Sequence, residues 1–242
     1  MNSMQIYGKQ FAPLWDKHWS FWNEEIWPFL HRTASKQAPH AREWLDLCCG
    51  TGGLLKRICD AGYAATGMDI SPHQIERARS NAPAARLVCA DIREFAPDEK
   101  YDVITCMFDS LNYLTEPVEL EKFFQNVRVW LNNGGVFMFD MLTPDGFRNA
   151  WLDASTVRES DQIVIIEPDF DEDKNIGHCR ITGFTREGEL WRRYDEEHIE
   201  RAYTGKEIER GLFAAGFEFK AFDAYHRLKP GKRSERLLYL CR

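Results

Sequence analysis

The residues with the clearest chemical potential form a glycine-rich turn. Residues 44–53 read W-L-D-L-C-C-G-T-G-G, an apolar run that ends in an acid, two cysteines and glycines, and a helical pattern follows at Leu54 and Ile58. This order predicts a strand, a tight turn and a helix start. Gly50 and Gly52 allow positive φ and close approach of a ligand to the backbone. The amides at the helix start favour an anionic or carboxylate-bearing group, and a purely structural turn is the alternative.

Two further carboxylates follow apolar runs. Asp69 closes the run 63–68 and lies 19 residues after Gly50. In a βαβ unit this distance brings the carboxylate to the end of the second strand, where it can accept hydrogen bonds from both hydroxyls of a ribose. An acid that complements the dipole of the next helix is the alternative. Asp91 ends the run 86–90 at the same edge of the predicted sheet, although an acid at a strand end is unremarkable by itself.

The elements that must position these residues alternate between strands and helices. Runs at 101–108 and 136–142 predict two more strands, and the first of them is nearly continuously apolar, as expected for a strand covered on both faces. Between them, apolar residues from Leu120 to Leu131 recur at helical spacing, and Asn132 to Gly135 predict a helix stop. Further helix starts are predicted at Ser71, followed by proline, and at Thr204, which begins a capping box.

Two segments flank or interrupt this pattern. Tryptophans and other apolar residues predict a helix from about Asp16 to His31, which either packs on the core or forms a lid. Residues 163–166, 176–184 and 190–203 predict three strands of an inserted antiparallel sheet. We therefore divide the chain into a helical cap (1–35), a core (36–150 and 204–242) and an inserted β subdomain (151–203).

Composition limits the functional classes. The 242 residues carry a net charge of −7 and show no basic stripe, so we expect no nucleic-acid partner. The seven cysteines include no C-x-x-C pair, which favours free thiols in a reducing cytoplasm. No apolar run is long enough to cross a bilayer, so we expect no membrane association. The acidic turns of the insertion are expected to be solvated loops, and no metal site is predicted.

The turn resembles the first motif of the class I S-adenosylmethionine-dependent methyltransferases, acid-x-Gly-x-Gly-x-Gly. The matching residues run from Asp46 to Gly52, with Cys48 at the position of the first glycine. The resemblance covers about residues 44–142 and 204–242. It implies an α/β fold with a Rossmann-like, doubly wound, mostly parallel sheet of seven strands, an antiparallel last strand and helices on both faces, here with an inserted antiparallel sheet.

The resemblance also implies the ligand and its contacts. The turn would hold the amino-acid portion of S-adenosylmethionine, Asp69 the ribose, and Asp91 with the amide of Ile92 the adenine. The hydroxyl of Tyr7, in the N-terminal cap, would lie near the cofactor's carboxylate. The complete expected set is Tyr7, Asp46, Cys48, Gly50, Thr51, Gly52, Asp69, Ile70, Asp91, Ile92, Phe108 and Asp109.

The resemblance predicts methyl transfer to a small-molecule acceptor by in-line displacement. Candidate acceptor contacts and catalytic residues are His198 and Arg201, where the insertion returns to the core, and Asn112 and Tyr113 after the fourth strand. A partly exposed strand histidine is the simpler interpretation of His198. Residues 109–113 lack the prolines with which methyltransferases of nucleobase amines shape a slot for a flipped base, which also argues against a nucleic-acid acceptor.

Two other functions remain open from the sequence. An NAD-dependent oxidoreductase would share the βαβ unit and Asp69, but the third glycine of its fingerprint has no counterpart. A protein that binds the cofactor without catalysis would keep the same turn. The inserted sheet could roof the acceptor pocket or form a homodimer contact.

Overall fold

The computed structural model describes residues 6–151, 153–231 and 233–242. Its strands are β1 (Glu43–Leu47), β2 (Ala64–Asp69), β3 (Arg86–Cys89), β4 (Tyr101–Cys106), β5 (Leu131–Leu142), β6 (Ser155–Arg158), β7 (Gln162–Asp171), β8 (Ile176–Glu187), β9 (Leu190–Arg201), β10 (Phe219–Asp223) and β11 (Arg236–Cys241). Its helices are α1 (Ala12–His18), α2 (Phe21–Gln37), α3 (Gly53–Asp60), α4 (Pro72–Asn81), α5 (Pro117–Trp130), α6 (Pro144–Ala150) and α7 (Gly205–Ala214).

Seven strands form the central sheet in the order β3-β2-β1-β4-β5-β11-β10. The strands from β3 to β5 pair in parallel, and β11 lies antiparallel between β5 and β10. This arrangement confirms the predicted fold class. It also brings the carboxyl ends of β1, β2, β3 and β4 to one edge, at the point where the strand order reverses, which is where ligands bind in open α/β sheets.

Strand β5 shows why helices cover both faces of the sheet. Phe137, Phe139 and Met141 pack with the apolar sides of α5 and α7, whereas Val136 and Met138 pack with α2, α3 and α4. Because successive side chains of a strand point to opposite faces, an almost unbroken apolar strand serves two cores.

Helix starts follow their predicted caps. The hydroxyl of Ser71 accepts a hydrogen bond from the amide of Gln74 at the start of α4. Thr204 and Glu207 form the predicted capping box of α7, in which each side chain bonds the other residue's backbone amide. These local signals worked because a cap satisfies amides that have no partner within the helix.

Three predicted elements differ from the structure. The single helix from Asp16 to His31 is two helices, α1 and α2, because the chain turns at Trp19 and Ser20. The inserted sheet has four strands, β6 to β9, because the short β6 pairs with β7. The predicted helix stop at Asn132 to Gly135 lies within β5, since Leu131 already pairs with β4 and Gly134 has φ of 78°.

The cap contacts both the core and the insertion. Phe11 and Leu14 pack against Val164, Cys179 and Ile181 of the inserted sheet. Each predicted division of the chain includes residues that lie outside the described ones: 1–5 in the cap, 152 in the insertion and 232 in the core. No helix within the described ranges combines the length and the hydropathy needed to cross a membrane.

Candidate functional site

The glycine-rich turn has a backbone that explains its motif. Cys48, Gly50 and Gly52 have φ of 54°, 55° and 83°, so all three positions of the alternating motif are left-handed. Glycine adopts this region without steric cost, whereas a residue with a Cβ atom loses about 1–2 kcal/mol. Cys48 therefore keeps the shape of the turn at a cost in strain.

Asp69 joins the turn to the end of β2. Its carboxylate accepts hydrogen bonds from the amides of Gly50 and Ser71, both at 2.9 Å. Burial raises the pKa of Asp69 to about 6, although the amides of Ser71 and Gly50 oppose the shift. The hydroxyl of Ser71 also donates to the carbonyl of Tyr7, which ties the cap to the same corner.

Asp46 lies at the end of a buried polar chain. The indole of Trp44 donates to the hydroxyl of Thr105, and that hydroxyl donates to Asp46 at 2.7 Å. Burial is the main cause that raises the pKa of Asp46 to about 7, and the negative charge of Asp69 raises it further. Two neighbouring carboxylates of this kind favour a ligand that carries positive charge.

A cavity opens at this edge of the sheet, beneath the N-terminal cap. Its walls include ten of the twelve expected cofactor residues: Tyr7, Asp46, Cys48, Gly50, Thr51, Asp69, Ile70, Asp91, Ile92 and Phe108. Gly52 does not line the cavity, and a Cβ atom at this position would lie 3.1 Å from Ala78 of α4. The carboxylate of Asp91 accepts hydrogen bonds from the guanidinium of Arg93, which holds it at the cavity rim.

Asp109 has a different environment from the one expected. Its carboxylate pairs with the buried guanidinium of Arg236 at 3.1 Å, and Arg236 also bonds Asp140. Asp140 in turn accepts the amide of Phe108 at 2.6 Å. Phe108 and Asp109 both have positive φ, so this ion cluster stabilises a strained loop. Asp109 lines a neighbouring cavity and not the one that contains Asp69.

The neighbouring cavity lies between the core and the inserted sheet. Tyr7, Trp15, Trp19, Phe108 and Tyr113 line both cavities and so form a common wall. The far side of the second cavity includes Pro168 and Ile181 of the insertion together with His198 and Glu200 of β9.

Polar groups connect the common wall to β9. The hydroxyls of Tyr7 and Tyr113 are 2.9 Å apart, and that of Tyr113 is 2.8 Å from Nδ1 of His198. Burial raises the pKa of both tyrosines well above the usual value, so their hydroxyls are neutral near pH 7. Nε2 of His198 lies 3.4 Å from Glu196, whose carboxylate accepts the amides of Tyr7 and Gly8.

Of the four candidate acceptor contacts, the structure brings two to the cavities. Tyr113 and His198 line the second cavity. Asn112 is fully buried, and its amide bonds the backbone of Leu142 and Arg201. The guanidinium of Arg201 lies over the ring of Tyr203 and pairs with Glu207. Arg201 is three positions after His198, and side chains an odd number of positions apart on a strand face opposite sides.

Several residues in or beside the two cavities were missed by sequence reasoning. Glu196 and Glu200 lie on the same face of β9 as His198, and a period of two from His198 would have found them. Trp15 and Trp19 were assigned to a segment that packs on the core or forms a lid, and not individually to the wall of a cavity. Arg236 could not have been found, because its partners are 96 and 127 residues away in the sequence.

Fold and cavity together are typical of Rossmann-like enzymes that bind a nucleoside-containing cofactor at the switch point of the sheet. Residues 45–135 match the family model described as a methyltransferase domain. A relative from Bacillus subtilis that is named as a methyltransferase is 26% identical over 236 residues, which cover 95% of this chain and 94% of the relative.

Two further comparisons agree. The dTDP-3-amino-3,6-dideoxy-alpha-D-glucopyranose N,N-dimethyltransferase of Streptomyces fradiae is 27% identical over 75% of this chain and 72% of its own. The crystal structure of an S-adenosylmethionine-dependent methyltransferase from Clostridium acetobutylicum superposes with a TM-score of 0.83 at 28% identity, covering 96% of this chain and 97% of that one.

The family model, the full-length relative and the crystal structure together support the class I S-adenosylmethionine-dependent methyltransferases as the family of this chain, with S-adenosylmethionine as its cofactor. This assignment confirms the family expected from the turn and sets aside the NAD-dependent oxidoreductase. The residues present fit the cofactor, since the cavity combines a left-handed turn with the buried carboxylates Asp46 and Asp69.

Proposed function

We propose that the protein transfers the methyl group of S-adenosylmethionine to a small-molecule acceptor by in-line displacement. The observation that carries the proposal is the common wall of the two cavities, formed by Tyr7, Trp15, Trp19, Phe108 and Tyr113. A cofactor in the first cavity and an acceptor in the second would meet at this wall.

The roof over the wall favours a small acceptor. Tyr7, Trp15 and Trp19 belong to the N-terminal cap, and the inserted sheet covers the second cavity from the other side. A polymer would have to displace one of these elements to reach the wall. The Streptomyces fradiae relative acts on an amino sugar according to its name, and such a substrate belongs to this size class.

Positioning supplies much of the acceleration for this reaction. In-line displacement needs the acceptor atom on the axis of the breaking carbon–sulfur bond, about 3–3.5 Å from the methyl carbon. In the proposal, the turn from Asp46 to Gly52 holds the amino-acid portion, Asp69 the ribose, and Asp91 with Ile92 the adenine. The aromatic side chains of the wall exclude water around the sulfonium.

The first test concerns the ribose contact. Asp69→Ala should weaken the binding of S-adenosylmethionine at least tenfold, about 1.4 kcal/mol, because it removes an ionised acceptor and frees the amide of Gly50. Isothermal titration calorimetry measures the dissociation constant. Asp60→Ala is the matched control, since Asp60 is exposed and pairs only with Lys56. An unchanged constant for Asp69→Ala would contradict the placement.

The second test concerns catalysis. Methyl transfer from labelled S-adenosylmethionine should be detected with small-molecule acceptors and not with nucleic acid or protein. Titration with NAD serves as a negative control for the cofactor. Tight binding of S-adenosylmethionine with no transfer to any member of a broad acceptor panel would favour a cofactor-binding protein without catalysis.

A further inference from the structure

Strand β9 buries titratable side chains and exposes others in alternation. Glu196, His198 and Glu200 are 5%, 4% and 5% exposed, whereas their neighbours Glu197 and Ile199 are exposed. A strand on an ordinary core would bury the isoleucine and expose the acids, because a buried carboxyl group costs several kcal/mol unless it is paired. The inverted pattern therefore needs a reason at each buried position.

Two of the three buried groups have partners. Glu196 accepts the amides of Tyr7 and Gly8 at 2.7 and 2.8 Å. His198 bonds the hydroxyl of Tyr113 at 2.8 Å. Oε2 of Glu200 is fully buried and has no hydrogen-bond partner among the residues that the structure describes. Glu200 is also one of the residues that line the second cavity, where an acceptor would lie.

The charges around this oxygen favour a cation. Asp109, Asp153 and Glu200 line the second cavity, and its described walls include no lysine or arginine. Arg236 forms ion pairs with Asp109 and Asp140, whereas Glu200 forms no ion pair among the described residues, and the charge of Arg236 only partly opposes the rise in the pKa of Glu200. Burial, and next the negative charge of Asp109, raise the pKa of Glu200 well above the usual value. An anionic acceptor would meet three carboxyl groups and no lysine or arginine in the described walls, whereas an ammonium group could pair with Glu200.

We propose that the methyl acceptor is a primary or secondary amine that enters protonated, and that Glu200 binds its nitrogen and takes its proton. This inference rests on the proposed function, because it assigns the chemistry of the acceptor in that same cavity. Glu200 is then a catalytic residue in contact with the substrate. The absence of basic residues in the described walls also places any phosphate group of the acceptor outside this cavity.

The reaction balances without a further reactant. The ammonium gives one proton to the carboxylate of Glu200, which leaves a neutral amine and a carboxylic acid. The nitrogen lone pair then forms a bond to the methyl carbon while the electrons of the carbon–sulfur bond pass to sulfur. The products are the methylated ammonium and neutral S-adenosylhomocysteine, so the positive charge of the sulfonium ends on nitrogen. The charge of a bound ammonium group favours the ionised form of Glu200 before transfer, and the burial that raises the pKa of Glu200 favours its neutral form once the proton has moved.

The experiment uses the full chain saturated with S-adenosylhomocysteine. Matched probes that differ only in one group, 3-amino-3-deoxyglucose against glucose and benzylamine against benzyl alcohol and benzoate, are titrated by calorimetry. We expect at least one amine to bind and its oxygen counterparts to bind at least tenfold more weakly. Glu200→Gln should weaken amine binding at least tenfold and lower kcat/KM for its methylation, while Glu197→Gln, an exposed neighbour on β9, should change neither.

The outcomes separate the two proposals. If Glu200→Gln binds the amine as tightly as the unmodified protein does, or if no amine binds, or if an alcohol or carboxylate is the better acceptor, the role of Glu200 is overturned. Binding of S-adenosylmethionine by Glu200→Gln shows that the variant is folded. If the unmodified protein does not bind S-adenosylmethionine or S-adenosylhomocysteine at all, the proposed function itself fails.

Discussion

At the scale of single residues, Cys48 shows that the backbone conformation of a motif can be kept when one of its glycines is replaced. Its φ of 54° lies in the region where glycine is favoured, and the two glycines that follow it, Gly50 and Gly52, have the same left-handed backbone. The family's first motif was recognisable because Asp46 and the later glycines hold the spacing. The sequence could not reveal that a cysteine accepts the same backbone conformation, since that depends on how Cys48 packs against the core.

Cys48→Gly should be at least about 1 kcal/mol less destabilising than Cys59→Gly. The first substitution removes left-handed strain, whereas the second places glycine inside helix α3, where it costs about 1 kcal/mol relative to alanine. Both cysteines are free and half-buried, so the loss of side-chain contacts is similar. Urea unfolding of the two variants measures the difference. Equal losses of unfolding free energy would show that the turn carries no strain at Cys48.

At the scale of elements, the central strands were predictable and the cap was not. An apolar run of five to eight residues between turn signals identifies a strand wherever helices cover both faces, as in β4. The break between α1 and α2 at Trp19 and Ser20 has no such signal, because it follows from packing on the inserted sheet. For the same reason a roof over the acceptor pocket could be predicted from the sequence, whereas the residues that line the second cavity could not, because that cavity forms where the cap, the core and the insertion meet.

The cap depends on Glu196 of β9, whose two oxygens accept the amides of Tyr7 and Gly8. Glu196→Ala should leave these amides without partners and release this end of the cap. We expect hydrogen exchange at Tyr7 and Gly8 to accelerate at least tenfold, and S-adenosylmethionine to dissociate faster. Exchange measured by mass spectrometry or NMR tests this.

Glu197→Ala is the matched control for the cap, because Glu197 lies on the exposed face of the same strand. The remaining contacts of the cap, such as the bond from Gln162 to the carbonyl of Gln10, are present in both variants. If Glu196→Ala exchanged no faster than Glu197→Ala at these two amides, the carboxylate would not be what holds this segment.

At the scale of the whole molecule, the homodimer through the inserted sheet stays a prediction. Leu190, Trp191 and Ile199 of β9 are 76%, 45% and 39% exposed, which supplies apolar surface on the insertion. Light scattering should give about twice the chain mass of 28.3 kDa, and Trp191→Lys should return it to the monomer mass. A monomer mass for the unmodified protein at concentrations of about 0.1 mM would contradict the prediction.

The stabilisation of the whole fold by the cofactor should also depend on pH. The pKa of Asp46 is raised to about 7 and that of Asp69 to about 6, mainly by burial. A carboxyl group whose pKa is higher in the folded state stabilises the fold most at low pH, and this contribution is lost as pH rises through about 6 to 7. S-adenosylmethionine brings a sulfonium and an ammonium group, which favour the ionised carboxylates. The cofactor should therefore stabilise the fold most at pH values above these pKa values, where ionisation of Asp46 and Asp69 lowers the stability of the cofactor-free protein.

We expect the rise in melting temperature caused by saturating S-adenosylmethionine to be larger at about pH 8 than at about pH 5.5. At the lower pH the cofactor must first displace protons from Asp46 and Asp69, and each proton costs up to about tenfold in affinity per pH unit below the pKa of the empty site. Asp46→Asn removes the group with the higher pKa, so its stabilisation by the cofactor should vary less between pH 6 and 8. Thermal unfolding followed by circular dichroism measures both. Equal stabilisation of the unmodified protein at the two pH values would mean that these carboxylates keep their protons, or lose them, independently of the cofactor.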